Sequence, residues 1–228
     1  MIITIDGPAG TGKTTVAKAV AQELGFTYFD TGAMYRALTY GIISNNVDAD
    51  NPEALTTFLQ NYPVSVKSHL GEKRIFLGTE DVTDKIRSKD VTSLVSKISA
   101  FPVVREKLVE IQRNLAKGVN AVFEGRDMGT VVFPNAELKI FLTASPEVRG
   151  KRRYDELVEK FPNDTAITEA GVLDDINRRD TYDASRDISP MKPADTAVII
   201  DTSGLTIDDV INRIIVLKEK GETKTLNL

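Results

Sequence analysis

The chain has 228 residues, no cysteine, one histidine and a formal net charge of −4 at pH 7. This composition excludes disulfide bonds, thiolate metal sites and histidine-cluster metal sites, and it gives no indication of a nucleic-acid polymer or a membrane surface as partner. The length and a hydrophobic fraction of 41% suit one α/β domain over residues 1–228 with an insertion. We expect a cytoplasmic protein, because the first predicted strand starts at Met1 and no stretch is long and apolar enough to span a membrane.

The first motif runs from Gly7 to Thr15 and fits the phosphate-binding pattern G-x-x-x-x-G-K-[ST]. A β-branched run at residues 1–5 predicts a buried strand before it, and apolar residues at helical spacing predict a helix after it that ends at Gly25. Backbone N–H groups and a helix N-terminus arranged in this way attract phosphate. The motif predicts that a nucleoside triphosphate binds here, that Lys13 reaches its β- and γ-phosphates, and that the Thr14 hydroxyl ligates Mg²⁺.

A short strand and a helix starting at Thr31 follow the first helix. Arg36, early in this second helix, suits a second phosphate, although residue statistics favour an exposed arginine without a ligand. Two strand-like segments, 64–66 and 74–77, then predict an antiparallel hairpin. Because a hairpin breaks the alternation of strands and helices, we interpret this region as an insertion into a parallel sheet.

Two further helices are predicted from Ser88 to about residue 98 and from Pro102 to about residue 115. Ser96 and Arg105 lie off the apolar stripes of these helices, so the pattern alone predicts solvated surface residues.

An acid-arginine-acid loop follows the next predicted core strand, residues 121–123. It contains Glu124, Arg126 and Asp127, interspersed with glycines, at the carboxyl end of the strand. Ligands bind at these ends in open α/β sheets, so the loop is a candidate binding element, and a plain polar turn is the alternative.

Two rows of arginines characterise the later part of the chain. The spacing predicts one helical face with Arg149, Arg152 and Arg153, and a second with Arg179, Asp183 and Arg186 if that helix continues far enough. Such rows can be surface ion pairs of little energetic value, but beside a phosphate-binding loop they are typical of a lid that closes over phosphates.

The class of phosphate-loop protein can be narrowed by what the sequence contains. No Asn-Lys-x-Asp guanine reader is present, and the D-x-x-G match at residues 201–204 comes too late in the chain to be a GTPase switch. Motor and transporter ATPases are larger and modular. A small chain with an insertion and a late arginine-rich segment favours a kinase of small acceptors.

Four longer motifs make the resemblance specific. They are Asp30-Thr-Gly-Ala-Met-Tyr-Arg36, Gly125-Arg-Asp-Met-Gly-Thr-Val-Val-Phe-Pro134, Arg179-Asp-x-x-Asp183-x-x-Arg186 and Ser189-Pro-Met-Lys-Pro-Ala-Asp195. Together they resemble the bacterial cytidylate kinases over nearly the whole chain. Members commonly have serine where this chain has Thr31, and the hydroxyl is retained.

The resemblance implies a fold and an activity. The fold is a parallel five-stranded sheet flanked by helices, with an acceptor-binding insertion at about 31–115 that contains a small antiparallel β element, and a short arginine-rich lid at about 149–165. The activity is phosphorylation of CMP and dCMP to CDP and dCDP by direct transfer from ATP with Mg²⁺. Members are usually monomers.

The resemblance also implies residue roles. Catalytic residues are Lys13, Arg126, Asp127, Arg179 and Arg186. The ATP site is formed by Gly7, Pro8, Ala9, Gly10, Thr11, Gly12, Lys13, Thr14, Thr15 and Arg152. Thr31, Arg36 and Arg126 hold the CMP phosphate. Ser96, Arg105 and Asp127 bind the cytosine. Arg179, Asp183 and Arg186 hold the sugar, and the two arginines of this last group also close over the phosphates.

Two alternatives stay open at this point. One is another small kinase acting on UMP, AMP or a non-nucleotide acceptor. The other is a regulator that binds ATP without transferring phosphate.

Overall fold

The computed structural model describes residues 1–69 and 72–221, which form two compact units. The first unit consists of Met1–Phe29 and the chain from Gly118 onward, and the second unit is Asp30–Lys117. The second unit is therefore inserted in sequence between two parts of the first.

The elements alternate between strands and helices except in the second unit and between α6 and α7, which follow each other directly. The strands are β1 Ile2–Asp6, β2 Thr27–Asp30, β3 Val64–His69, β4 Glu72–Leu77, β5 Glu80–Asp81, β6 Ala121–Glu124, β7 Leu138–Thr143 and β8 Val198–Asp201. The helices are α1 Lys13–Leu24, α2 Thr31–Ser44, α3 Pro52–Asn61, α4 Lys89–Ile98, α5 Pro102–Leu115, α6 Pro146–Lys160, α7 Glu169–Ser185 and α8 Ile207–Lys220. A π-helical turn, Met128–Val132, follows β6.

The first unit is built on a five-stranded parallel sheet of order β2-β6-β1-β7-β8, which confirms the predicted fold class. β1 pairs in parallel with β6 on one side and with β7 on the other. In this register Ile5 lies opposite Glu124, and Asp6 lies opposite Phe141. β1 and β6 thus end at nearly the same level and β7 runs two residues further, so the loops that leave the three strands start close together.

Apolar side chains of the central strands pack against helices α1 and α8. Ile5, Val122 and Ile140 are fully or almost fully buried in this cluster, together with Val16 of α1 and Ile214 of α8. Burial on both faces of the sheet explains why these strands read as continuous apolar runs in the sequence. Gly25 ends α1 in the left-handed conformation, with φ of 66°, as the sequence predicted.

The second unit contains four helices and the antiparallel sheet β3-β4-β5. The predicted hairpin is confirmed, and its strands are longer than predicted, since the ladder runs from the Val64–Leu77 pair to the His69–Glu72 pair. Helix α2 packs closely on this region at Gly41, where a Cβ would lie 2.2 Å from a methyl carbon of Leu77.

The aromatic ring of Phe123 gives a test of the core beside the candidate loop. Phe123 is fully buried; its ring stacks on that of Phe29, with centroids 4.7 Å apart, and contacts the tilted ring of Phe133 at 4.5 Å. We expect Phe123→Ala to lower the free energy of unfolding by about 3–5 kcal/mol, because it removes both contacts and leaves a cavity. Urea denaturation measures this loss.

A matched control is Tyr62→Ala. The ring of Tyr62 also stacks on another ring, that of Phe58, but Tyr62 is 38% exposed. This change should cost about 1 kcal/mol. Equal losses in the two variants would contradict the importance assigned to the buried stack.

Candidate functional site

The phosphate-binding loop connects the end of β1 to the start of α1, as the sequence predicted. Gly7 and Gly10 adopt φ of 140° and 78°, a region that favours glycine. A Cβ at Gly7 would lie 2.0 Å from the carbonyl oxygen of Leu142, and one at Gly10 would lie 2.6 Å from that of Arg149. The loop therefore packs so tightly against β7 and α6 that only glycine fits at these two positions.

Lys13 is the first residue of α1, and its side chain is only 7% exposed. Its ammonium donates a hydrogen bond to the carbonyl oxygen of Pro8 within the loop. Burial lowers the pKa of Lys13, and the positive charge of Arg126 lowers it further, against the opposing effect of Glu124. An anion bound in the loop would relieve this cost, which is the behaviour expected of a phosphate-binding lysine.

The next residue of the loop, Thr14, contacts a carboxylate at the end of β6. Its hydroxyl donates to Oε2 of Glu124 at 3.0 Å, and the hydroxyl of Tyr28 donates to Oε1 of the same carboxylate. A hydroxyl beside a buried carboxylate is a donor set that suits a hard divalent cation. In the part of the chain that the structure describes, no group of three or more acidic or histidine side chains is placed to hold a metal ion.

The acid-arginine-acid loop and the α7 region bring together four predicted residues of the first unit. Asp183 is buried and lies 3.5 Å from the guanidinium of Arg126 and 3.8 Å from that of Arg186. Burial and the charge of Arg126 lower the pKa of Arg179, and Asp183 acts in the opposite direction. Arg126 and Arg186 thus share one carboxylate, and its charge also acts on Arg179, an excess of positive charge that favours an anionic ligand.

The geometry corrects one detail of this group. The spacing predicted Arg179, Asp183 and Arg186 on one helical face, but α7 ends at Ser185. Arg186 has an extended backbone conformation after the helix, and its Nε donates back to the carbonyl oxygen of Asp183 at 3.3 Å. The turn after α7 therefore brings Arg186 to Asp183.

Two arginines of helix α6 lie near the phosphate-binding loop: Arg149 contacts the loop directly, and Arg152 is connected to it through Thr202. Arg152 donates to the carbonyl and hydroxyl oxygens of Thr202, and this hydroxyl in turn lies 3.3 Å from the carbonyl oxygen of Thr11. Arg149 is buried, donates to the carbonyl oxygen of Ala9 at 3.2 Å and pairs with Asp180 of α7. The predicted row of arginines on α6 therefore supports the loop directly through Arg149.

The four predicted residues of the second unit lie on α2, α4 and α5. Thr31 is buried at the start of α2, which Asp30 caps by accepting from the N–H of Ala33. Arg36 donates to the hydroxyl of Thr92 at 2.9 Å, so α4 fixes the direction of this guanidinium.

Arg105 is only 4% exposed, so the surface position that the apolar pattern predicted is wrong. Its guanidinium donates to the carbonyl oxygen of Ser99 at 3.1 Å and lies over the ring of Tyr35. Ser99 in turn donates to the carbonyl oxygen of Ser96 at 3.0 Å. Ser96 and Arg105 are thus linked through the end of α4.

Three contributors to the site received no role from the sequence. Glu124 was recognised as part of an unusual loop, and its position after a core strand was the available signal. Arg149 shares a row with Arg152, but nothing in the spacing indicates that it packs under the loop. Asp180 follows Arg179 directly, and only the packing of α6 on α7 reveals its pairing with Arg149.

Comparison with known proteins gives consistent results. The family model described as cytidylate kinase matches residues 3–220. A cytidylate kinase of Protochlamydia amoebophila (strain UWE25) is 54% identical over 98% of this chain and 99% of its own. A cytidylate kinase of Streptococcus pneumoniae (strain 70585) is 47% identical over 96% of this chain and 97% of its own.

A solved structure supports the fold alone. The crystal structure of an uncharacterized protein from Eubacterium ventriosum ATCC 27560 aligns with a TM-score of 0.51 at 15% identity, over 96% of this chain and 98% of that one. In the described residues no helix has the length and apolar character needed to cross a bilayer. The family model covers nearly the whole chain and the relatives match it end to end, so the chain belongs to the cytidylate kinase family.

Proposed function

We propose that this protein transfers the γ-phosphoryl group of ATP to CMP and dCMP, forming CDP and dCDP. The observation that carries the proposal is the combination, within the first unit, of a phosphate-binding loop and a cluster of three arginines around Asp183. Family membership supports the choice of a cytidine nucleotide as acceptor. We further propose that the enzyme acts as a monomer in the cytoplasm, on small molecules and without a nucleic-acid polymer.

The donor site would be the loop Gly7–Thr15 with Arg152 beside it. Lys13 neutralises charge on the β- and γ-phosphates, and the loop N–H groups hold their oxygens. Thr14 would hold Mg²⁺ through its hydroxyl oxygen, and Glu124 would orient this hydroxyl. When bound, Mg²⁺ neutralises negative charge on the triphosphate.

The acceptor would be bound by the residues that the family resemblance implies. Thr31, Arg36 and Arg126 would bind the CMP phosphate, and Ser96, Arg105 and Asp127 would bind the cytosine. Cytosine presents an amino donor at position 4, where uracil has an oxygen. A carboxylate such as that of Asp127, which is 2% exposed, accepts from the amino group and repels the uracil oxygen.

Transfer would proceed in line, with no strong general base, because the acceptor phosphate is already ionised. Lys13, Arg126, Arg179 and Arg186 supply positive charge where the transition state spreads negative charge. Asp183 orients these arginines and would accept a sugar hydroxyl. Burial of the cluster strengthens each of these interactions relative to water.

A coupled assay of ADP release tests the function, with Mg·ATP as donor and CMP, dCMP, UMP and AMP offered separately. We expect fast turnover with CMP and dCMP and slow turnover with UMP and AMP. Preference for UMP or AMP would retain kinase chemistry and reject the roles of Ser96, Arg105 and Asp127. ATP binding without turnover on any acceptor would reject the proposal and favour an ATP-dependent regulator.

Lys13→Ala should lower kcat by several orders of magnitude while the protein still folds, because transition-state charge loses its main partner in the loop. Steady-state kinetics measure the change in kcat. The control is Lys18→Ala, which changes an exposed position of the same helix. An unchanged kcat in the Lys13 variant would contradict the assignment.

The same variant has an expected effect on ligand-free stability. The folded protein lowers the pKa of Lys13 below its ordinary 10.5, so the unfolded chain binds more protons between the two values. Stability of the parent should therefore rise as pH increases through that window. Lys13→Ala should lose this rise, and urea unfolding at pH 7 and pH 10 compares the two proteins.

Asp127→Asn should weaken the preference for CMP over UMP, because an amide can donate to the uracil oxygen as well as accept from the cytosine amino group. The measurement is the ratio of kcat/KM for the two acceptors, which we expect to fall by at least about tenfold. Equal ratios in variant and parent would show that Asp127 does not read the base.

A further inference from the structure

Asp6 is a buried carboxylate with no role in the mechanism above. It is the last residue of β1, immediately before the phosphate-binding loop, and is 4% exposed. Its Oδ1 accepts from the N–H of Met128 at 2.9 Å and its Oδ2 accepts from the N–H of Gly129 at 2.8 Å. Both oxygens therefore bind the two residues that follow Asp127.

These two bonds replace a local cap. The π-helical turn Met128–Val132 begins after Asp127, which occupies its N-cap position. An aspartate at an N-cap ordinarily accepts from N–H groups of the first turn with its own side chain. Here those hydrogen bonds come from Asp6, 122 and 123 positions away in sequence, rather than from Asp127.

We infer that Asp6 is a positioning residue for acceptor recognition: by capping the Met128–Val132 turn, it keeps the Asp127 carboxylate from capping the turn and so directs it to the acceptor base. This inference rests on the proposed function of Asp127.

The electrostatic surroundings agree with this geometry. Burial raises the pKa of Asp6 to about 7, the two backbone N–H bonds act against this shift, and the charge of Asp127 adds to it. The two carboxylates are thus close enough to influence each other.

The test compares the parent with Asp6→Asn. Asparagine keeps one acceptor oxygen but sets an NH₂ group against the second backbone N–H, so one capping bond is lost. We expect the turn to loosen, so that the Asp127 carboxylate is no longer held toward the acceptor base. The KM for CMP should rise on the order of tenfold to a hundredfold, and the CMP:UMP ratio of kcat/KM should fall, while the KM for Mg·ATP stays within about twofold of the parent.

A second readout is independent of turnover. Amide hydrogen exchange, followed by NMR on the ligand-free protein, should become faster at Met128 or Gly129 in Asp6→Asn and stay unchanged at the other core amides of β1. The matched control is Asp209→Ala, which removes the carboxylate that accepts from the N–H of Thr206 at the start of α8. It should lower stability and leave both KM values and the acceptor ratio at parent levels.

The outcomes separate the possibilities. Unchanged exchange at both amides, or faster exchange with an unchanged KM for CMP and an unchanged CMP:UMP ratio, overturns the positioning role. Equal increases in the KM for CMP and for Mg·ATP overturn it as well, since they indicate a general disturbance of the loops.

If Asp6→Asn does not fold, Asp6→Glu, which keeps the charge and displaces the carboxylate, is judged by the same readouts. A parent that does not phosphorylate CMP refutes the proposed function itself and the inference with it, whereas an active parent with an unaffected variant refutes the inference alone.

Discussion

The parallel pairing of β1 with β6 is the constraint on which the first unit depends. Ile5 lies opposite Glu124, so both strands end at the same level and the two loops that leave them start side by side. Contacts between the loops are then short, from Thr14 to Glu124 and from Asp6 to the turn after Asp127. The phosphate-binding loop and the loop that contains Asp127 are consequently held in one frame by the sheet.

The first unit contains buried positive charges, which lower the stability of the ligand-free protein. Lys13 is almost fully buried, and Arg126 and Arg186 share the Asp183 carboxylate. Burying cations without full compensation is costly, and the cost is offset when a phosphate enters. The tight packing of the loop against β7 and α6 fixes the loop backbone, which keeps the loop ready for an anionic ligand.

Much of this could be predicted from local sequence patterns. The phosphate-binding loop is continuous in sequence, and the periods of its flanking strand and helix identify its context. The hairpin of the second unit and the glycine at the end of α1 also have local signals, and both were predicted. The two-residue strand β5 is too short to carry a periodic signal, so only the structure reveals it.

What could not be predicted depends on partners far apart in the chain. Arg105 was expected at the surface because it lies off an apolar stripe, yet a backbone carbonyl and an aromatic ring make a buried site for it. Arg149 and Asp180 are ordinary helical residues until α6 packs against α7. Asp6 reads as the polar end of a strand, and its two backbone partners are fixed only once β6 lies beside β1.

The order of the strands also has a consequence for synthesis of the chain. Ile2 of β1 pairs with Ala121 of β6, so the first strand leaves the ribosome well before its neighbours exist. At ordinary elongation rates this interval is roughly 6 to 24 s. The second unit, Asp30–Lys117, is continuous in sequence and is complete during that time. The nascent chain therefore carries an apolar strand without its sheet partners while the inserted unit already has all the sequence it needs to fold.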